Sequence, residues 1–157
     1  MGSVMFRNIK FLILFSILLI MGLPTSLRSN SAFDAIKKEN TVKTLVVKDQ
    51  NKQFFAVLLR GDHQLNELKL ANIDLIAQPF EMASEAEVKK LFHADIGSIG
   101  PIDCPITMIV DYDAFMLSDF VAGANENDFH YRGCNWDRDI KNCHKFDIRN
   151  VEEGDLS

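Results

Sequence analysis

The sequence predicts an α+β domain, a mixed and mainly antiparallel β-sheet with short flanking helices. Three observations carry that expectation. TVKTLVV (41–47) and FFAVLLR (54–60) are β-rich runs of strand length on either side of the polar DQNKQ. ITMIVDY (106–112) is almost wholly apolar, as a strand covered on both faces would be. Between them SEAEVKKLF (84–92) opens on Ser84 and Glu87, the S-x-x-E pair that caps a helix N-terminus reciprocally.

Taken in order, the first two runs read as neighbouring strands whose connection could be a hairpin. GDHQLN (61–66) then breaks the pattern, and Leu65, Leu68 and Leu70 in LNELKLAN suggest a short helix. In the capped segment Val88, Leu91 and Phe92 share one face, and the helix should end near His93. ADIGSIGPIDCP (94–105) holds Gly97, Gly100, Pro101 and Pro105, too many breakers for a helix or central strand, so it reads as a loop. After the third strand comes the mixed DAFMLSDFVAGA (113–124), and FHYRGCN (129–135) and FDIRNV (146–151) are two further candidate strands.

With 157 residues, 47% hydrophobic and 25% charged, the chain can bury one real core and is not disordered by composition. Its formal net charge of -5 is uneven: 111–157 carries five basic against eleven acidic residues, whereas 1–30 has Arg7, Lys10 and Arg28 and no acid. A broad basic surface for duplex nucleic acid is thereby excluded. Cys104, Cys134 and Cys143 are an odd number without a CxxC pair, which argues for reduced, buried or half-buried thiols. A zinc set of Cys134, Cys143, His144 and His130 fits no standard ligand spacing, and no metal or cofactor is expected.

Residues 1–30 form a separate unit. Arg7 and Lys10 precede the apolar FLILFSILLIMGL (11–23), and Pro24, Ser26, Ser29 and Ala32 follow, the order of a signal peptide. The run is short of the roughly 20 apolar residues of a membrane span, although 4–27 could serve as a marginal anchor. A misplaced start with no part in the fold is the other reading. The expected boundary therefore divides a hydrophobic leader, 1–30, from a domain spanning 31–157.

KTLVV, FAVLLRGDHQLNELKL, ASEAEVKKLF, IGSIGP, VDYD, DFVAGANENDFHY, NWDRD and DIRNVEEGD follow one another in an order and spacing that resembles the YbaK-like editing domain of bacterial-type prolyl-tRNA synthetases. The resemblance covers about Ser31 to Ser157. It implies the YbaK editing-domain fold and hydrolysis of alanine mischarged on proline tRNA. The chemistry is reasonable, because a synthetic pocket shaped for proline gains only about 1 to 3 kcal/mol against an amino acid lacking a few methylenes. A second, smaller pocket discriminates by size.

The same resemblance assigns the site. Lys43 matches the lysine of the family's KTL strand, where an ammonium can offset negative charge developing on the ester. Gly97, Ser98, Ile99, Gly100 and Pro101 match the GxxxP loop, with Gly97 and Gly100 expected to offer backbone N–H groups. Ser98, Ile99, Pro101 and His130 are expected to contact the bound amino acid, His130 as a rigid wall of the pocket. Taken alone, each has an ordinary reading: a solvated strand lysine, a Gly-Pro turn, a packed histidine. Trp136 and Arg138 read as an aromatic anchor and the ion-pair partner of Asp137, Asp139 or Asp147. Asp62, His63, Asp111 and Asp113 are ambiguous between turn caps and functional groups.

None of the motifs of a class II ligase core appears in these residues, so the implied activity is aminoacyl-tRNA deacylation by a free-standing module or by a synthetase fragment. The expected partners are the tRNA(Pro) acceptor end with its alanyl ester and prolyl-tRNA synthetase or another tRNA-binding protein, since an acidic module grips tRNA weakly by itself. The expected location is cytoplasmic, or membrane-associated if 4–27 is used. The alternative function is a membrane-anchored or exported small-ligand-binding module of the same fold without hydrolysis.

Overall fold

The computed structural model describes residues 25–28, as backbone, and 36–151. Strand β2 (Thr41–Lys48) turns back into β3 (Phe54–Arg60) as the hairpin the sequence suggested, paired from Val42 with Arg60 to Lys48 with Phe54. The Asp49 carboxylate accepts the Gln53 N–H at 2.8 Å and closes the turn, in which Lys52 takes a left-handed φ of 61°.

The two expected helices follow. In α1 (Glu67–Ala71) the Asn66 side chain caps the Lys69 N–H, and Leu70 is buried. A minimal strand, β4 (Glu81–Met82), precedes α2 (Glu85–Phe92), where Ser84 and Glu87 form the reciprocal cap and Val88 and Phe92 are buried. The helix stops at His93, whose left-handed φ of 57° cannot continue it.

After a loop with one 3-10 turn, Ile96–Ser98, come β5 (Thr107–Asp111), the short helix α3 (Tyr112–Phe115), β6 (Phe120–Gly123), β7 (Phe129–Cys134) and β8 (Cys143–Phe146). Adding β1 (Thr25–Arg28), the described strands make one eight-stranded sheet in the order β1-β7-β6-β2-β3-β5-β8, with β4 also paired to β2. The β2/β3, β6/β7, β1/β7 and β2/β4 ladders are antiparallel, and β2/β6, β3/β5 and β5/β8 are parallel. The architecture is mixed and mainly antiparallel α+β, as expected.

Alternate residues of the central strands serve two cores on opposite faces. Ala56, Leu58, Met108 and Val110 pack with Val88, Phe92, Ile99 and Phe120 on one side, while Phe55, Val57, Leu59 and Ile109 pack with Leu70, Ile73 and Ile148 on the other. That double cover explains the continuous apolar runs of β3 and β5.

Two differences from the sequence reading have physical causes. The last strand lies at Cys143–Phe146, upstream of most of FDIRNV. The buried Asp111 carboxylate accepts the Ile148 and Arg149 N–H groups at 3.0 and 3.2 Å, and the backbone of 148–150 meets that of 64–66 only as an isolated Leu65–Arg149 bridge, so no further strand of the sheet forms there. Thr25–Arg28, placed above in the leader, pairs along β7 from Arg132 to Phe129, so the sheet takes in four residues from the leader side of the 30/31 boundary. The apolar run 11–23 lies outside the described residues. No helix among those described is long and apolar enough to cross a membrane.

Candidate functional site

The two edges of β2 are paired unequally. On one side β3 accompanies it throughout. On the other, β6 pairs only Thr41 and Val42, and β4 only Val47 and Lys48. Lys43 to Leu45 therefore face a gap in the sheet on that side, bounded by the ends of β6 and β7 and by the loop after α2. A cavity of about 260 Å³ fills the gap, lined by Thr41 to Leu45, Ile96, Gly97, Ile99, Val121 to Gly123 and His130.

Lys43 stands at one wall. Its ammonium donates to the His63 carbonyl and, at 3.4 Å, to the Gly61 carbonyl. These fix it against the turn that follows β3, itself held by the paired bonds of Arg60 to Asp62 at 2.7 and 2.9 Å. An ammonium has three donors, so these two bonds leave one more. Burial lowers the Lys43 pKa below the ordinary lysine value; Asp62 opposes that shift and Lys38 adds to it.

The GSIGP loop forms the facing wall, but its residues divide. Gly97 and Ile99 line the cavity. A Cβ at Gly97 would meet nothing within 4 Å, so packing does not demand a glycine there. Ser98 is buried and turned away from the cavity lining: its Oγ accepts the Asp128 N–H at 3.0 Å and its carbonyl the Asn125 N–H at 2.9 Å. Gly100, expected to offer its N–H to substrate, instead donates it to the Asn125 Oδ1 at 2.7 Å. A Cβ on Gly100 would lie 1.9 Å from the Gly123 carbonyl oxygen, and one on Gly123 2.1 Å from that of Ile99. These two glycines let loop and strand backbones touch, so Gly100 has a packing role in place of the expected one. Pro101 is buried outside the cavity lining.

His130 closes the remaining side. It is 9% exposed and is the cross-strand partner of Gly123. Burial lowers its pKa, against the opposing effects of a hydrogen bond with the Gly97 backbone and the charge of Asp128, so the neutral imidazole is favoured. The bond to Gly97 ties this wall to the loop wall.

The other sequence candidates lie elsewhere. Asp111 caps α3 through the Asp113 N–H at 3.1 Å as well as holding residues 148 and 149. His63, Asp111 and Asp113 bring ligand-type atoms within 4.8 Å of one another. The Arg149 guanidinium already lies 2.5 Å from Asp113, however, so a cation is built into that cluster. The imagined zinc set does not converge: among the described residues, the His63 cluster is the group with metal-site spacing. Burial raises all three thiols, Cys104 to about 11 and Cys134 to about 12, so they stay protonated and unreactive at neutral pH. Trp136 packs with Phe115 and Phe120 and donates to the Ala114 carbonyl at 3.0 Å, while Arg138 pairs with Asp139.

Sequence reasoning missed Thr44 and Asn125. Thr44 lines the cavity and its buried hydroxyl has no hydrogen-bond partner among the described residues; its place in KTL beside Lys43 was the available signal. Asn125 lies within GAN, where the turn was foreseen but not its bonds to the loop.

Comparison with known proteins now bears on this arrangement. The family described as "Aminoacyl-tRNA editing domain" matches residues 26–140. Proline-tRNA ligase of Francisella tularensis subsp. tularensis (strain WY96-3418) is 48% identical over 126 residues, 80% of this chain and 22% of the ligase. That of Francisella philomiragia subsp. philomiragia is 46% identical over 122 residues, 78% and 21% of the two chains. The chain thus spans about a fifth of the length of these curated relatives. Among solved structures, a candidate trans-editing enzyme for prolyl tRNA synthetase superposes with a TM-score of 0.69 at 16% identity, covering 82% of this chain and 87% of that one. A hypothetical protein does so at 0.70 and 19%, covering 87% and 99%. At those identities the likeness establishes the fold. A match across most of the described sheet, with the close ligase relatives, establishes that the chain belongs to the aminoacyl-tRNA editing domain family, whose reaction is hydrolysis of an aminoacyl-tRNA ester.

Proposed function

We propose that the chain hydrolyses the alanyl ester of mischarged tRNA(Pro) and that the reaction takes place in the cavity between Lys43, the Gly97–Ile99 segment and His130. One observation carries the reading: a hollow of about 260 Å³ with a cation on one wall and a rigid imidazole on another. Pockets that hold a whole drug-sized ligand run from about 300 Å³ upwards. This one suits an aminoacyl group with a small side chain, with the nucleoside lying outside.

In this reading water attacks the ester carbonyl, the bond from the acyl carbon to the terminal ribose oxygen breaks, and that oxygen leaves as the tRNA hydroxyl with a proton from the water while alanine is released. The Lys43 ammonium offsets the charge gathering on the carbonyl oxygen, where a fixed donor is worth more than in bulk water. Neutral His130 and the Gly97 backbone bound the space beside the amino-acid side chain and exclude the pyrrolidine ring. The cavity lining holds no cysteine or serine, and its hydroxyls are those of Thr41 and Thr44, weak nucleophiles unless an adjacent base activates them, which favours direct attack by water over a covalent acyl-enzyme.

The net charge of -5 supports a requirement for a tRNA-presenting partner, prolyl-tRNA synthetase or another tRNA-binding protein; a tRNA substrate would put the site of action in the cytoplasm. The domain doing this work spans 31–157, preceded by the β1 residues that extend its sheet. The purified chain is expected to release alanine from alanyl-tRNA(Pro) and leave prolyl-tRNA(Pro) intact. Equal rates on both, or hydrolysis of neither with prolyl-tRNA synthetase supplied, would overturn the reading.

A further inference from the structure

The loop and His130, two walls of the cavity, come from distant parts of the sequence and meet through one turn. Residues 124–128 join β6 to β7, with Asn125 at a left-handed φ of 56°. From there Asn125 makes three bonds to the loop. Its N–H donates to the Ser98 carbonyl at 2.9 Å, its Oδ1 accepts the Gly100 N–H at 2.7 Å, and its Nδ2 donates to the Ile102 carbonyl at 2.7 Å. Two neighbours add to the seam: Asn127 Oδ1 accepts the Asp95 N–H at 2.7 Å, and Asp128 donates its N–H to the Ser98 Oγ at 3.0 Å. His130 lies five residues beyond Asn125, opposite Gly123, against which the loop backbone rests.

We propose that Asn125 is a positioning residue that sets the width of the cavity, and with it the largest amino acid admitted, by pinning the 98–102 loop at three points relative to His130. Asn125 is absent from the cavity lining and acts only through the groups it holds. Each bond contributes modestly to stability, but together they restrict a Gly-containing loop that a size filter needs to keep still. A loop released from this seam can draw away from His130, and the pocket then accepts a bulkier side chain.

The inference rests on the proposed reaction, so its test has one arm that depends on hydrolysis and one that does not. Asn125→Gly keeps access to the left-handed conformation and removes both side-chain bonds. Asn125→Asp tolerates the same φ, keeps the acceptor for Gly100 and loses the donor to Ile102. In the full chain, Asn125→Gly is expected to lower the preference for alanyl- over prolyl-tRNA(Pro) about tenfold, through a rise on the prolyl ester, with Asn125→Asp between it and the parent. Amide hydrogen exchange at Gly100 should quicken about tenfold in Asn125→Gly and less in Asn125→Asp.

An unchanged preference and unchanged exchange in a folded Asn125→Gly protein overturn the proposal, as does equal loss on both esters. If Asn125→Gly does not fold, Asn125→Asp decides by the same two readouts. Should the parent hydrolyse neither ester, the reaction is refuted and the exchange measurement decides the clamp alone.

Discussion

Two of the hollows among the described residues, at opposite ends of the central strands, differ in kind. The larger, about 640 Å³, lies where β3, β5 and β8 begin and is lined by Gln53, Phe54, Cys104, Thr107, Met108 and His144 among others. The smaller, about 260 Å³, is walled by Lys43, Gly97, Ile99 and His130. Volume alone would favour the first. Yet in the larger hollow the Cys104 thiol, raised by burial to about 11, makes only a long 3.5 Å bond to the Ile106 carbonyl. In the smaller, an ammonium is bound to two carbonyls, an imidazole to a loop backbone, and that loop to the next turn. Chemistry is better located by groups fixed in place than by empty space.

That contrast can be broken by substitution. The largest effect is expected from Lys43→Ala, which should slow single-turnover hydrolysis of alanyl-tRNA(Pro) about 10²- to 10³-fold with the folded state intact, because it removes a fixed donor at the developing oxyanion. A loss under about threefold would take the lysine out of the reaction. A smaller effect follows from His130→Ala: removing a wall should admit proline and cut the alanyl over prolyl preference about tenfold, measured as a ratio of kcat/KM values. The smallest is assigned to the larger hollow. Cys104→Ser should leave kcat/KM within about twofold, since surface and partly exposed positions away from a site rarely matter. A larger drop there would move the chemistry to the other end of the sheet.

Much of this fold is legible because it is local. Ser84 and Glu87 sit three residues apart and meet on the same helical turn. The runs at 41–47 and 54–60 are strands joined by a short turn whose Asp49 supplies its own acceptor. Lys43, Gly97, Ile99 and His130 emerge as cavity residues through resemblance, and no spacing rule joins residues so far apart in sequence. Gly100 shows the cost of reading a motif as one unit: in GSIGP one glycine opens onto the cavity and the other packs against Gly123.

The sequence by itself determined the capped helix, the central hairpin, the twice-covered strands and membership of the editing family, because each rests on neighbouring residues or on an ordered series of motifs. Tertiary structure alone decided that β6 and β4 leave Lys43 to Leu45 without a strand partner on one side. It alone moved the last strand upstream through the Asp111 carboxylate and made Asn125 the junction of loop and turn. The reason is the same in each case: a side chain satisfies whichever backbone groups the fold brings to it, and those lie tens of residues away in sequence.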